Sequence, residues 1–315
     1  MKRSAIMKPL FIATLIGYLS LHSGHAAEAR EWSTADGSKK IEAEYVSAKD
    51  GKVTIRRTDN RKTFTVPLDS FSEADREWVQ ARLDAAAEAE TKSDKSNPFA
   101  KLLTGEWERT EGHGLEYRIF GARKLRGADE VGYPLVIYLH GRGGDVMTPE
   151  QPGDARSFSE EDNYRKRPCV IIAPQCKKEG SWDSANADSV IGIIEDLEKN
   201  LSIDKKRIYL TGYSMGGYGT FYLLGQEPKL FAAGIPIAGG GDPNRAADFK
   251  KVPVWVFHGA KDPTVKPEQS QRMVKALEDA RGDVKYTEFP EGDHGIAGQV
   301  YGDARVHEWL FEQKK

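Results

Sequence analysis

Cysteine is nearly absent. Cys169 and Cys176 are the only two in 315 residues. They flank Val170-Ile171-Ile172-Ala173, an apolar, β-branched run that reads as a buried strand. At ~3.3 Å per residue an extended strand holds them ~20 Å apart, whereas a disulfide needs Cα atoms within ~7 Å. Two free thiols are expected. A catalytic Cys176 is disfavoured, because no His follows it at a telling spacing. Metal-ligand spacings of the Cys-x-x-Cys or His-x-x-x-His kind are also missing, so neither a metal nor another cofactor is expected. An excess of either charge is lacking too: 46 Lys and Arg against 48 Asp and Glu leave a net charge of −2. Without a basic block, nucleic acid is a poor partner. Beyond the first two dozen residues no apolar run approaches the ~20 residues that span a bilayer.

The N-terminus itself carries a processing pattern. Lys2, Arg3 and Lys8 precede an apolar stretch, Pro9 to Leu21, and Gly24-His25-Ala26-Ala27 supplies small residues for cleavage. Residues 1–27 are therefore expected to be a secretory signal peptide, and the protein secreted or periplasmic, with no membrane span after cleavage.

Residues 28–84 read as a small β-rich domain. Ile41 to Val46, Val53 to Ile55 and Thr63 to Val66 alternate apolar and polar side chains. Asp50-Gly51 and Asp59-Asn60 supply turns between them. Ser72 and Asp75 form a helix-start pattern ahead of Trp78, Val79 and Leu83. Trp32, Phe64 and Trp78 are expected in the core, since so small a module needs bulky side chains to close. Residues 85–100 read as a helix tail and polar linker, ending at Asn97-Pro98-Phe99.

Residues 101–315 alternate differently. Apolar runs at 117–120, 135–139, 170–173, 208–210, 233–238, 254–257 and 284–289 are separated by stretches with helical periodicity. That pattern predicts βαβ units and a mostly parallel sheet flanked by helices, with the site beyond the carboxyl ends of the strands. The large domain is organised around Gly212-Tyr213-Ser214-Met215-Gly216, placed between a strand and a helix. In that context Gly-x-Ser-x-Gly is a tight turn that lifts a serine hydroxyl above the sheet. The Met215 N–H, at the helix start, is free to face a developing oxyanion. His140-Gly141-Arg142-Gly143-Gly144 follows another strand. The Arg142 N–H, or that of Gly143, would complete the oxyanion hole. A phosphate loop is disfavoured, because the Lys-Ser/Thr of a P-loop is missing. Asp262 and His294 follow two further strands in the order Ser, acid, His. Ser214 is thus the expected nucleophile, His294 the general base and Asp262 the residue that orients it. His294 must be neutral to act, so activity should fall as pH drops through the imidazole range. Asp293 is the weaker acid candidate. His140 and His258 read as structural residues, with His140, Tyr213 and Trp182 also candidates for the substrate pocket.

These blocks, with Ala173-Pro174-Gln175-Cys176, resemble the α/β-hydrolase superfamily. The resemblance is to secreted bacterial esterases and peptidases similar to polyhydroxybutyrate depolymerases, feruloyl esterases and dienelactone hydrolases. It implies a carboxylic-ester hydrolase working through an acyl-enzyme on Ser214. Dienelactone hydrolases use a Cys nucleophile, and Ser stands here. Residues 31–37, 43–46, 52–55 and 66–75 resemble the first Sla homology domain of endocytic adaptors, which implies a module that binds a peptide or protein. In such adaptors the ligand contains Asn-Pro-Phe and an acidic residue; here Lys101 follows Asn97-Pro98-Phe99 instead. Two other functions stay open: a serine peptidase of the prolyl-oligopeptidase type, and a catalytically idle binding protein.

Overall fold

The computed structural model describes residues 29–126, 132–148, 153–177 and 180–315. The expected signal peptide lies outside the described residues. Two compact units divide between Ala87 and Glu88.

The small unit is an antiparallel sheet in chain order: β1 (Ala29–Ser33), β2 (Lys40–Lys49), β3 (Lys52–Arg57) and β4 (Thr63–Pro67). Asp50 and Gly51 turn β2 into β3, both in the left-handed region at φ 51° and 70°. Helix α1 (Glu73–Ser96) follows and runs through the segment expected as a linker. Its core is Trp32, Ala43, Val53, Ile55, Phe71 and Val79. The Trp32 ring lies 5.1 Å from Phe71 and 5.6 Å from Trp78. Arg30 and Arg82 cover Trp78 at 4.3 and 4.4 Å from the ring centre. Phe64 is not core. It is 41% exposed, because β4 is the edge strand: Phe64 pairs with buried Ile55 on one side and has no strand on the other.

Asp75 fastens the start of α1 to β1. It is buried and accepts from Arg30 Nη2 (2.6 Å), Ser33 N (2.8 Å) and Ser72 Oγ (2.7 Å). The Asp75 N–H returns a bond to Ser72 Oγ at 3.3 Å, the helix-start pattern seen in the sequence.

The large unit is built on an eight-stranded sheet. Its strands are β5 (Glu108–Gly112), β6 (Leu115–Phe120), β7 (Tyr133–Leu139), β8 (Val170–Pro174), β9 (Ile203–Tyr213), β10 (Ala233–Ile237), β11 (Val254–Gly259) and β12 (Val284–Phe289), in the spatial order β12-β11-β10-β9-β7-β8-β6-β5. The pairs β5–β6 and β6–β8 are antiparallel, and all the others parallel. β7, β8, β10 and β11 are buried almost end to end, as expected of strands covered on both faces. Among the described residues seven α-helices connect or flank the strands: α2 (Arg156–Ser159), α3 (Glu161–Lys166), α4 (Ser184–Asn200), α5 (Met215–Gln226), α6 (Glu268–Asp279), α7 (Ala297–Tyr301) and α8 (Ala304–Glu312). α4 buries Val190, Ile193, Ile194 and Leu197, the apolar period read in the sequence. Both cysteines are free and buried.

Asn97 follows the end of α1. Its Oδ1 accepts from the N–H groups of Phe99 (3.0 Å) and Ala100 (3.3 Å), and its Nδ2 donates to the Asn200 carbonyl. Phe99 packs against the large core. Asn97-Pro98-Phe99 thus closes one end of that core. Among the described residues no helix is long and apolar enough to cross a membrane.

Removing the Asp75 carboxylate leaves the partly exposed Arg30 guanidinium and the Ser33 N–H without their acceptor. The Asp75→Ala variant is expected to lose roughly 1–3 kcal/mol of small-unit stability. Native-state hydrogen exchange over residues 29–84 reads this as lost protection; unchanged protection refutes it.

Candidate active site

Ser214 sits between β9 and α5 with φ 55° and ψ −115°, in the left-handed half of backbone space. A non-glycine residue holds such a conformation only where its surroundings force it. The Ser214 N–H donates to the Ile237 carbonyl at 2.8 Å, which ties the turn to β10. The flanking glycines are obligatory. A Cβ on Gly212 would stand 2.3 Å from the Gly216 carbonyl oxygen, and one on Gly216 would stand 1.8 Å from the Leu139 carbonyl oxygen. The turn is therefore pressed against the end of β7.

His294 lies on the loop after β12 and Asp262 on the loop after β11. His294 Nε2 is 3.0 Å from Ser214 Oγ, and His294 Nδ1 is 2.7 Å from Asp262 Oδ2. A carboxylate only accepts, so Nδ1 carries the proton and the Nε2 lone pair faces the serine. Asp262 Oδ1 accepts from the N–H groups of Thr264 (2.8 Å) and Val265 (2.9 Å). Burial works against the Asp262 charge, but the bonds from His294, Val265 and Thr264 outweigh it and hold its carboxyl below the usual range. Asp293 is elsewhere: its Oδ1 accepts from Gly295 N at 2.8 Å and shapes the loop.

The other two histidines that end strands bond their surroundings. His258 Nδ1 lies 2.7 Å from Ser270 Oγ, and its Nε2 lies 2.8 Å from the Val265 carbonyl and 3.3 Å from Asp262 Oδ2. It supports the acid's loop. His140 Nδ1 donates to the Gly141 carbonyl at 2.7 Å, while its Nε2 accepts from Cys176 N at 3.0 Å. Burial pushes the His140 imidazole below its ordinary pKa, consistent with a neutral ring in those roles.

The turn after β7 approaches the serine closely. A Cβ on Gly141 would lie 3.4 Å from the Ser214 Cβ. Among the described residues the N–H groups of Arg142 and Gly143 donate to no protein acceptor, and the Met215 N–H opens α5. These are the expected oxyanion donors, beside the serine.

Two cavities meet here, sharing Arg142 and Met215. The first, about 550 Å³, contains Ser214 and is walled by Trp182, Tyr218, Phe221 and Tyr222, with Asp242 and Arg245 at its polar end. The second, about 710 Å³, is bordered by His140, Asp145, Gln175, Cys176 and Lys177. Trp182 and His140 therefore stand at cavity walls, as expected. Tyr213 lines neither. On β9 its side chain shares a face with Tyr209 and Thr211, and its hydroxyl donates to the His294 carbonyl at 2.8 Å. Its ring lies 5.1 Å from the imidazole. Tyr213 is a clamp behind His294, not a pocket wall. Burial and the neighbouring Asp183 push the Cys176 thiol up, so it stays protonated and is a poor nucleophile.

Sequence reasoning missed the pocket residues on α5, Tyr218 and Tyr222. Their i, i+4 spacing just after the elbow was the available signal, since it places both on one helix face. It also missed Gln175, discussed below.

The comparisons with known proteins agree with this architecture. Residues 173–305 match the dienelactone hydrolase family, and residues 21–86 match SLA1 homology domain 1. A bifunctional acetylxylan esterase/xylanase of Neocallimastix patriciarum is 25% identical over 178 residues, covering 55% of this chain and 25% of that protein. Dipeptidyl peptidase 4 of Sus scrofa is 31% identical over 128 residues, covering 31% of this chain and 17% of that protein. The crystal structure of a thermostable esterase is 35% identical with a TM-score of 0.62, covering 68% of this chain and 64% of that one. The chain thus spans a quarter or less of the two curated relatives and just under two thirds of the solved one. The large unit has the α/β-hydrolase fold, part of it matching the dienelactone hydrolase family, and the N-terminal unit matches SLA1 homology domain 1.

Two substitutions test the geometry. Tyr213→Phe removes one hydrogen bond to the His294 loop, worth ~0.5–1.5 kcal/mol, so kcat should fall about 2- to 10-fold on a stable fold. An unchanged kcat shows that the clamp is idle. Gly216→Ala should unfold or inactivate the large unit, because Cβ meets backbone; a folded, active variant in thermal melts refutes the packing constraint.

Proposed function

We propose that this chain is a secreted serine hydrolase that cleaves carboxylic esters of the feruloyl, acetyl or other carbohydrate-linked kind. The observation that carries the proposal is the line of contacts from Ser214 Oγ through His294 to Asp262, at 3.0 and 2.7 Å. Ser214 Oγ attacks the ester carbonyl carbon while its proton passes to His294 Nε2. The carbonyl oxygen gains the negative charge and is met by the N–H groups of Met215 and of Arg142 or Gly143. As the tetrahedral centre collapses, the C–O bond to the alcohol breaks and His294 gives that alcohol the proton. Water then repeats the sequence on the acyl-enzyme and frees the acid. Asp262, kept ionised, stabilises the imidazolium at both stages.

The two cavities suit a two-part substrate. Tyr and Trp faces in one accept a planar or apolar group, and the charged rim of the other accepts a hydroxylated one. The acetylxylan esterase match supports a carbohydrate-linked ester. The N-terminal leader pattern supports export. The SLA1-type module is proposed to hold a peptide or protein ligand.

A second reading, a serine peptidase, is favoured by the match to dipeptidyl peptidase 4. A panel of p-nitrophenyl esters, feruloylated or acetylated sugars and peptide amides separates the two. Turnover of amides alone overturns the ester reading. A fluorophosphonate probe should label the folded protein and fail on Ser214→Ala; no labelling of the unmodified protein would favour an idle binder. Asp262→Asn is expected to lower kcat roughly 10⁴-fold by favouring the wrong tautomer of His294.

A further inference from the structure

The strand-end residue Gln175 holds the shape of the turn that carries the free N–H groups. Its Oε1 accepts from Val146 N at 2.9 Å. Its Nε2 donates to the Gly144 carbonyl at 3.0 Å and lies 3.1 Å from His140 Nε2 and 3.3 Å from the Cys176 carbonyl. One amide therefore reaches three residues of the turn after β7: 140, 144 and 146. The turn bonds to itself as well, from Gly144 N to the Gly141 carbonyl at 3.0 Å. Its first residue is held from outside by Trp182 Nε1, which donates to the His140 carbonyl at 2.8 Å.

Between these anchors Arg142 and Gly143 form the tip, and among the described residues their N–H groups have no protein acceptor. Gly143 sits at φ 72°, and a Cβ on Gly144 would come 2.9 Å from His140 Nδ1. The tip is thus fixed by what grips its two ends. A donor misplaced by even 1 Å loses much of its value to an oxyanion, because the bond must be in place before the charge develops. Gln175 meets the geometric need from both sides. Its oxygen serves an N–H beyond the tip and its nitrogen serves a carbonyl beside it, the donor and acceptor pair of a carboxamide.

We propose that Gln175 is a positioning residue for the oxyanion hole, acting through the turn 140–146. The proposal rests on the serine-hydrolase reading above. It assigns no chemistry to Gln175 itself. It predicts a loss specific to the transition state.

The test is the pair Gln175→Leu and Gln175→Glu in the full chain, on a p-nitrophenyl ester, with kcat per serine counted by fluorophosphonate titration. Leu removes every polar contact at similar volume. Glu keeps the acceptor for Val146 N and loses the donors. Gln175→Leu should lower kcat about 10²-fold with little change in KM, and weaken binding of a trifluoromethyl ketone by a similar factor. Affinity for the product acid should hold. Gln175→Glu should lose kcat as well, and it covers the case in which the Leu variant fails to fold. A Gln175 with a merely structural role would lower the melting temperature and the titratable fraction while kcat per serine stayed at the wild-type value, and that result overturns the proposal. Ser214→Ala separates the two levels. If it abolishes hydrolysis while either folded Gln175 variant keeps its kcat, the positioning role fails and the serine-hydrolase reading stands. Full ester hydrolysis by Ser214→Ala overturns both.

Discussion

The site depends on a side chain that is absent. With no Cβ at Gly216, the first turn of α5 lies directly against the carbonyl that ends β7, where a methyl group would stand 1.8 Å from the Leu139 oxygen. That contact brings together two segments far apart in sequence: the elbow bearing Ser214, and the turn whose Gly141 faces the Ser214 Cβ. The nucleophile and the candidate oxyanion donors share one location because two backbones touch. The strained φ of Ser214 follows from the same contact. The chain must reverse from strand to helix within a residue, and the Ile237 carbonyl holds it there.

Electrostatics around the contact divide into two halves with opposite demands. On the acid side, Asp262 must stay charged although its side chain is fully covered, and burial alone would favour the neutral form. Three groups offset that: the His294 ring and the N–H groups of Val265 and Thr264. On the oxyanion side, His140 must stay neutral, because its Nε2 accepts from Cys176 N. Burial prevails there over the Gly141 carbonyl and the Asp145 carboxylate, which favour protonation. Two histidines that follow strands of one sheet are thus driven to different jobs by their neighbours. His294 has a carboxylate behind it and a serine ahead; His140 is hydrogen-bonded to amides and a carbonyl.

Much of this was legible in the sequence, and the unreadable parts have physical reasons. Ser214, Asp262 and His294 each follow an apolar run at a turn, and a parallel sheet brings such turns to one rim; the pattern therefore carried three-dimensional information. The inner strands were legible because burial on both faces demands unbroken apolar residues. β5, Glu108-Arg109-Thr110-Glu111-Gly112, was not, since an edge strand exposed to water needs no such run. β1 was hidden for a related reason: of its five residues only Trp32 is buried, and one position makes no alternation. Phe64 misled because residue type suggests burial while edge position denies it. Tyr213 was readable in principle. Alternation along β9 sets it with Tyr209 and Thr211, whose hydroxyls also reach across to the C-terminal helices. Gln175 was not readable, because an amide's role depends on which carbonyls and N–H groups its strand end meets.

The rim is rigid where chemistry requires precision and open where it requires variety. The turn 140–146 is bonded through Gln175, just past β8, and Trp182, just ahead of α4, and the elbow through Ile237 at the end of β10. The cavity walls are different. Tyr218 and Tyr222 are 37% and 40% exposed, on the solvent side of a helix whose other face is core. Substitution there changes the shape of the first cavity without moving the helix, because the buried positions Phe221, Leu223 and Leu224 hold α5 in place. The same helix therefore presents a fixed N–H at Met215 and replaceable rings one and two turns later. Reaction type resides in backbone positions that admit no side chain, and substrate choice in side chains that the backbone does not need.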